Sequence, residues 1–327
     1  MKKVFKSFKI FLLLIFIVIS CFAFIYKDKI KLYINIGEKY VNLQKDTSSI
    51  PKVNNSRNMK ASDFETIVYK NTNNVPLTLD IYKAKKQLSK GSPVILYVHG
   101  GSWIYGDKNI PSVLSPPLDS FREEGFTIIS VEYRLMKPGV SFDRPTSDVK
   151  DAIRWVYKNK DVYNFNSNEI GVLGISSGAH LSLLASYTDD KQFMDDKNLE
   201  NYPSKVKYLI DFLGPTDLST LDTSKANWDM NNILKSVPNV KELTSKYSPI
   251  SYVHNGAPKT LMIYSKNDTL VPYKNGVELY NKCKENNVFA KLIPLENCNH
   301  DLSGLSKEDM LTLSKEVLKF ILQNSSI

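Results

Sequence analysis

The stretch Ile170-Gly-Val-Leu-Gly-Ile-Ser-Ser-Gly-Ala-His180 starts as a short apolar, β-rich run and continues into a helix-like segment at 179–186. Between the two stands Gly174-Ile-Ser-Ser-Gly178, a G-x-S-x-G sequence. A chain that doubles back from strand to helix within a few residues has no room for side chains beside the turn, so small flanking residues are what such an elbow needs. The turn lifts the Ser176 hydroxyl clear of a sheet, at the start of a helix. Ser176 is therefore the candidate nucleophile. The bland alternative is a Gly/Ser turn with no chemistry.

Outward from this elbow, runs at 94–98, 126–131, 208–210, 261–264 and 290–294 are also β-rich and do not alternate polar with apolar. That pattern belongs to strands buried on both faces of a parallel sheet. Runs at 66–70 and 77–83 read as an opening hairpin. Helical stretches lie between the later runs. Pro145 suits a first helical turn, followed by Val149, Ile153 and Val156 at i, i+4 and i+7. A helix is expected over 276–286, and Ser306 can cap a last helix that buries Leu313, Val317, Phe320 and Ile321. Eight strands alternating with helices predict an α/β fold built on a mostly parallel, doubly wound sheet. Residues 218–257, polar and punctuated by Pro238 and Pro249, break the alternation and read as a small cap insertion after strand 6.

The composition agrees. Of 327 residues, 42% are hydrophobic and 24% charged, too apolar for a disordered chain, and three Cys are too few for a disulfide scaffold. The net charge of +9 invites a nucleic-acid reading, but residues 1–31 carry +6 of it, and 38 of the 43 basic residues are Lys. No basic stripe is interleaved with aromatics, so nucleic-acid binding is excluded as the leading idea. Cys283 and Cys298 are expected near opposite reaches of a helix and the strand after it, beyond bridging distance, and so as free thiols.

The N-terminus sets the expected location. Four Lys lie in residues 1–9, and an uncharged, almost wholly apolar run fills 10–26. Seventeen residues is the lower limit for a spanning helix and slightly long for a signal-peptide core. Residues 1–29 read first as a transmembrane signal anchor, with the N-terminus cytoplasmic. Lipidation at Cys21, in the lipobox-like Val18-Ile-Ser-Cys21, and a cleaved signal peptide are the alternatives. Each leaves the catalytic domain, 63–327, outside the cell membrane, on a polar tether at 30–62.

A serine hydroxyl needs a base beside it. Of four His, His99 lies in a Gly turn, His180 sits one helical turn past Ser176, and His254 precedes a strand in polar sequence. His300 follows the last strand in a polar loop, where a doubly wound sheet puts its site, and is the candidate base. Asp268, just past the seventh strand, is the candidate acid to orient it, and Asp217 in Gly214-Pro-Thr-Asp217 is the rival. An oxyanion needs preorganised N–H donors. In His99-Gly-Gly-Ser-Trp103, after the third strand, Gly101 and Ser102 are the candidates, and Ser177 joins them from the elbow. Trp103 reads as wall or core, and Tyr133-Arg134 as packing. No H-x-x-x-H or C-x-x-C spacing occurs, and neither metal nor cofactor is implied.

The chain resembles the α/β-hydrolase superfamily, carboxylesterase/lipase branch, in its hormone-sensitive-lipase-like and feruloyl- or acetyl-xylan-esterase-like members. The resemblance covers about 64–324. It rests on Val98-His-Gly-Gly-Ser-Trp103, Glu132-Tyr-Arg-Leu135, Asp148-Val-Lys-Asp-Ala-Ile-Arg-Trp155, the elbow, Ser265-Lys-Asn-Asp268 and Asn299-His300. It implies an α/β-hydrolase fold with Ser176, Asp268 and His300 as nucleophile, acid and base of a carboxylic ester hydrolase. The small predicted cap suggests short acyl chains or esters on a sugar as substrates. Three departures stand out: Ser102 replaces the third Gly of H-G-G-G, Ser177 a common Ala, and Ala179 a common Gly. Amide cleavage or acyl transfer by the same triad, and a silent hydrolase fold used as a binding module, are the competing readings.

Overall fold

Every residue of three central strands is buried, so cover on both faces is built into the sheet from the start. The computed structural model describes residues 34–35, 63–72, 75–137, 141–221 and 240–325. Two units divide the chain, Met1–Ser49 with Ser326–Ile327, and Ile50–Ser325; only 34–35 are described in the first. The apolar run 10–26, Cys21, the rest of the tether and cap residues 222–239 lie outside the described residues.

The described residues of the second unit hold eight strands: β1 (Glu65–Thr72), β2 (Val75–Tyr82), β3 (Ser92–Val98), β4 (Thr127–Val131), β5 (Phe165–Ile175), β6 (Tyr208–Phe212), β7 (Lys259–Ser265) and β8 (Ala290–Leu295). Their order across the sheet is β1-β2-β4-β3-β5-β6-β7-β8. β2 pairs antiparallel with β1 and β4, and every other neighbour is parallel. Among the described residues the helices of this unit are α1 (Ser115–Glu123), α2 (Asp143–Lys158), α3 (Lys160–Tyr163), α4 (Ser177–Tyr187), α5 (Val240–Tyr247), α6 (Lys274–Glu285) and α7 (Lys307–Asn324). Short 3₁₀ turns at Leu218–Thr220 and Pro249–Tyr252 flank the undescribed part of the expected cap.

The strand order places the site. From β3 the chain moves outward to β4 and returns on the other side of β3 as β5, so the order reverses between β3 and β5. Loops leaving the carboxyl ends at such a reversal diverge and open a crevice. Val98 is in register with Gly174, so the 99–103 loop and the 174–178 elbow leave the sheet side by side.

Ser306 caps α7 through the Asp309 N–H, and Leu313, Phe320 and Ile321 are buried, whereas Val317 is only half-buried. Cys283 and Cys298 are both buried free thiols. A cluster of charges fills the contact between β1 and α2. Lys70 Nζ lies 2.8 Å from Asp148, 2.7 Å from Asp151 and 2.8 Å from Asp195. Arg134 pairs with Asp148 and Asp195, so the Tyr133-Arg134 pair is structural, as its motif reading expected.

Candidate active site

Ser176 closes β5 and opens α4 with φ +52° and ψ −120°. A non-glycine residue held there costs about 1–3 kcal/mol and persists only where its surroundings over-determine it. The surroundings here are tight. A Cβ on Gly174 would lie 2.5 Å from the Cα of Ala179, and one on Gly178 would lie 2.3 Å from the carbonyl oxygens of Val98 and His99. The two glycines of the motif thus allow α4 to close against both β5 and β3. Ser176 N–H donates to the carbonyl of Phe212 at 2.7 Å, tying the elbow to β6.

The three residues read as nucleophile, base and acid meet in a chain of hydrogen bonds. Ser176 Oγ lies 2.7 Å from His300 Nε2, and His300 Nδ1 lies 2.7 Å from Asp268 Oδ2. A carboxylate accepts only, so Nδ1 carries the proton and Nε2 offers its lone pair to the Ser176 hydroxyl. The other carboxylate oxygen of Asp268 accepts the N–H groups of Leu270 and Val271, both at 2.8 Å, which fixes the acid in its loop. The Asp268 side chain is fully buried and His300 is one-fifth exposed, so the base faces the solvent side.

The rival acid is elsewhere. Asp217 accepts from the N–H and hydroxyl of Ser219 at 2.9 and 2.6 Å and caps a 3₁₀ turn. The other histidines are also accounted for. His99 is buried and stacks on Tyr133 at 4.2 Å, with burial holding its pKa down. His254 caps its own turn through Gly256 N–H. His180 is wholly buried, which drives its pKa down to about 4.

A cleft with about 270 Å³ of open space lies at Ser176. Ser102, Trp103 and Ser177 line it beside Ser176, and Pro215, Leu221, Leu270 and Val271 give it apolar walls. Ser177 is the first residue of α4, so its N–H has no carbonyl to meet within the helix. The 99–103 loop turns through three successive positive φ values: Gly101 at +125°, Ser102 at +53° and Trp103 at +63°. The carbonyl of Gly101 closes this turn by accepting the N–H groups of Ile104 and Tyr105 at 3.0 and 2.8 Å. At Gly101 an added Cβ would lie 2.1 Å from the carbonyl oxygen of Tyr105, so the turn has no room for a side chain there. The apolar walls went unread in the sequence. Leu270 and Val271 follow the acid in the same loop, and that adjacency was the available signal.

Residues 79–283 match the BD-FAE family, a span of well over half the chain. The chain belongs to that family. Among curated relatives it is 29% identical over 200 residues to esterase LipC of Mycobacterium tuberculosis, covering 59% of this chain and 49% of that one. It is 26% identical over 240 residues to the probable carboxylic ester hydrolase LipM of the same organism, covering 70% and 54%. The chain spans about half the length of the curated relatives it matches. A solved structure described as a truncated carbohydrate esterase from gut microbiota superposes with a TM-score of 0.66 at 23% identity, over 81% of this chain and 99% of that one. The fold is thus the α/β-hydrolase fold, as the motifs of this BD-FAE chain implied.

Proposed function

We propose that the protein is a serine hydrolase that cleaves carboxylic esters through an acyl-enzyme. The observation that carries this reading is the unbroken relay of Ser176, His300 and Asp268, with 2.7 Å at each link. His300 Nε2 takes the hydroxyl proton as Ser176 Oγ attacks the ester carbonyl. The carbonyl oxygen becomes an oxyanion, and the N–H groups of Gly101, Ser102 and Ser177 are its donors. One such donor is worth about 3 kcal/mol of barrier. His300 then gives its proton to the departing alcohol, and a water activated by the same nitrogen releases the acid. The esterase relatives support this class of reaction.

The substrates proposed are short acyl esters of small alcohols, sugars included. The apolar walls of the cleft at Pro215, Leu221, Leu270 and Val271 support this, since they suit the hydrocarbon part of an acyl group.

The test is hydrolysis of p-nitrophenyl acetate, butyrate and octanoate by the detergent-purified full chain beside Ser176→Ala. Acetate and butyrate are expected to turn over, octanoate at least ~10-fold less efficiently, and the variant to be inert. A folded wild-type chain inert to all three and to a fluorophosphonate probe would instead favour a binding module.

A further inference from the structure

His180 takes no part in the relay, yet both of its ring nitrogens are bonded. Nε2 lies 2.7 Å from the carbonyl oxygen of Tyr247, at the end of α5, and must therefore carry the proton. Nδ1 is left with a lone pair, which accepts the indole N–H of Trp103 at 3.1 Å. The rings of Trp103 and Phe142 meet the imidazole at 5.2 and 5.3 Å, tilted 82° and 62° to it. One buried side chain thus ties the 99–103 loop to the helix that begins at the nucleophile and to α5.

The loop needs such a tie. Ser102 and Trp103 both carry a Cβ at left-handed φ, a conformation that survives only under tertiary restraint. Trp103 is almost fully buried, its own carbonyl accepts Met136 N–H at 2.8 Å, and its indole N–H goes to His180. We propose that His180 is a positioning residue: by accepting the Trp103 indole N–H while anchored on the Tyr247 carbonyl, it holds the left-handed 101–103 turn, and with it the Ser102 N–H, in place against Ser176. The role rests on the serine-hydrolase reading above, because that reading gives the Ser102 N–H its work. A neutral imidazole suits the task, having one acceptor and one donor on opposite sides. Phenylalanine offers neither, and a glutamine amide offers both.

The experiment compares His180→Phe, His180→Gln, Trp103→Phe, the His180→Phe/Trp103→Phe double variant and Ser176→Ala in the full chain. It measures kcat and KM on p-nitrophenyl acetate, with melting temperature alongside. His180→Phe is expected to lower kcat about 10- to 100-fold with KM within about twofold, as a displaced oxyanion donor should. Trp103→Phe is expected to lower kcat similarly, and the double variant to be no slower than the slower single one. His180→Gln should recover most of the lost kcat. Wild-type kcat in His180→Phe, or losses that multiply in the double variant, would overturn the role. So would a His180→Gln as slow as His180→Phe at equal melting temperature. If His180→Phe does not fold, Trp103→Phe and His180→Gln decide: wild-type kcat in the former overturns the role. Activity surviving in Ser176→Ala sinks the serine-nucleophile reading itself. An inert Ser176→Ala beside a fully active His180→Phe sinks the positioning role alone.

Discussion

Asp268 uses its two carboxylate oxygens differently, and that division makes a sharp test of its role. Oδ1 accepts two backbone N–H groups and Oδ2 accepts the proton on His300 Nδ1. In Asp268→Asn the amide oxygen keeps the two backbone donors, so the NH₂ group turns toward His300. Nδ1 must then offer its lone pair and Nε2 must carry the proton, which leaves Ser176 facing a donor. We expect kcat on p-nitrophenyl acetate to fall about 10³- to 10⁴-fold with little change in melting temperature. A loss under tenfold would count against Asp268. Asp217→Asn touches only a turn cap and should leave kcat near wild type; a loss matching that of Asp268→Asn would instead favour the rival acid. These single residues were legible because their chemistry restricts them to certain places: a serine between glycines, a histidine after the last strand, an aspartate between them in chain order. The second role of His180 was not legible. Its partners come from residues 103 and 247, and nothing local in the sequence says that they converge.

Elements carry two more consequences. At the end of β6, Asp211 is fully buried, and burial pushes its carboxyl pKa up to about 7 against the hydrogen bonds from Tyr264 and Gly214. The Tyr264 hydroxyl also contacts the Gly214 carbonyl. A protonated Asp211 fits this arrangement, donating to Tyr264 while Tyr264 donates onward. The unfolded carboxyl releases its proton near pH 4 and the folded one near pH 7, so stability falls as pH rises between those values. Asp211→Asn copies the protonated form. It should unfold at a higher denaturant concentration than wild type at pH 8 and lose that advantage by pH 4; an unchanged difference at both pH values would count against the assignment. On β1, Lys70 is a buried cation between Asp148 and Asp151, and Lys70→Met leaves these carboxylates to Arg134 and Arg154 alone. A loss of about 1–3 kcal/mol is expected from chemical denaturation, the cost of a lost charged hydrogen bond rather than of an unpaired charge. The strands were legible because burial on both faces leaves unbroken apolar runs. α1 escaped because Ser115-Pro-Pro-Leu reads as a turn, although proline suits a helix start. The first residues of β5 escaped because Asn166-Ser-Asn168 is polar, and Lys70 because a lysine on a strand reads as solvent-facing.

At the scale of the whole molecule, charge and hydropathy are concentrated at one end. Residues 1–31 hold +6 of a net +9, and 10–26 hold no charge at all. Among the described residues no helix is long and apolar enough to cross a membrane, and the run 10–26 lies outside them. We propose that this run anchors the chain in the cell membrane with the hydrolase domain on the outer side. As a helix, seventeen residues would reach about 25 Å, slightly less than a bilayer core of about 30 Å. Lys9 and Lys27 flank the run, and a lysine side chain is long enough to make up such a shortfall. In this proposal the four Lys before the run favour a cytoplasmic N-terminus, although the Lys that follow it weaken the asymmetry. Lipidation at Cys21 would give the same fractionation by different chemistry, so fractionation alone does not separate them. Cys21→Ser does: an anchored chain stays in the carbonate-washed membrane pellet with its N-terminal peptide intact, whereas a lipoprotein loses its acylated terminus and changes its processing. Protease added to spheroplasts should release an esterase-active fragment from the anchored chain. Full protection of that activity would place the domain inside the cell and reverse the orientation.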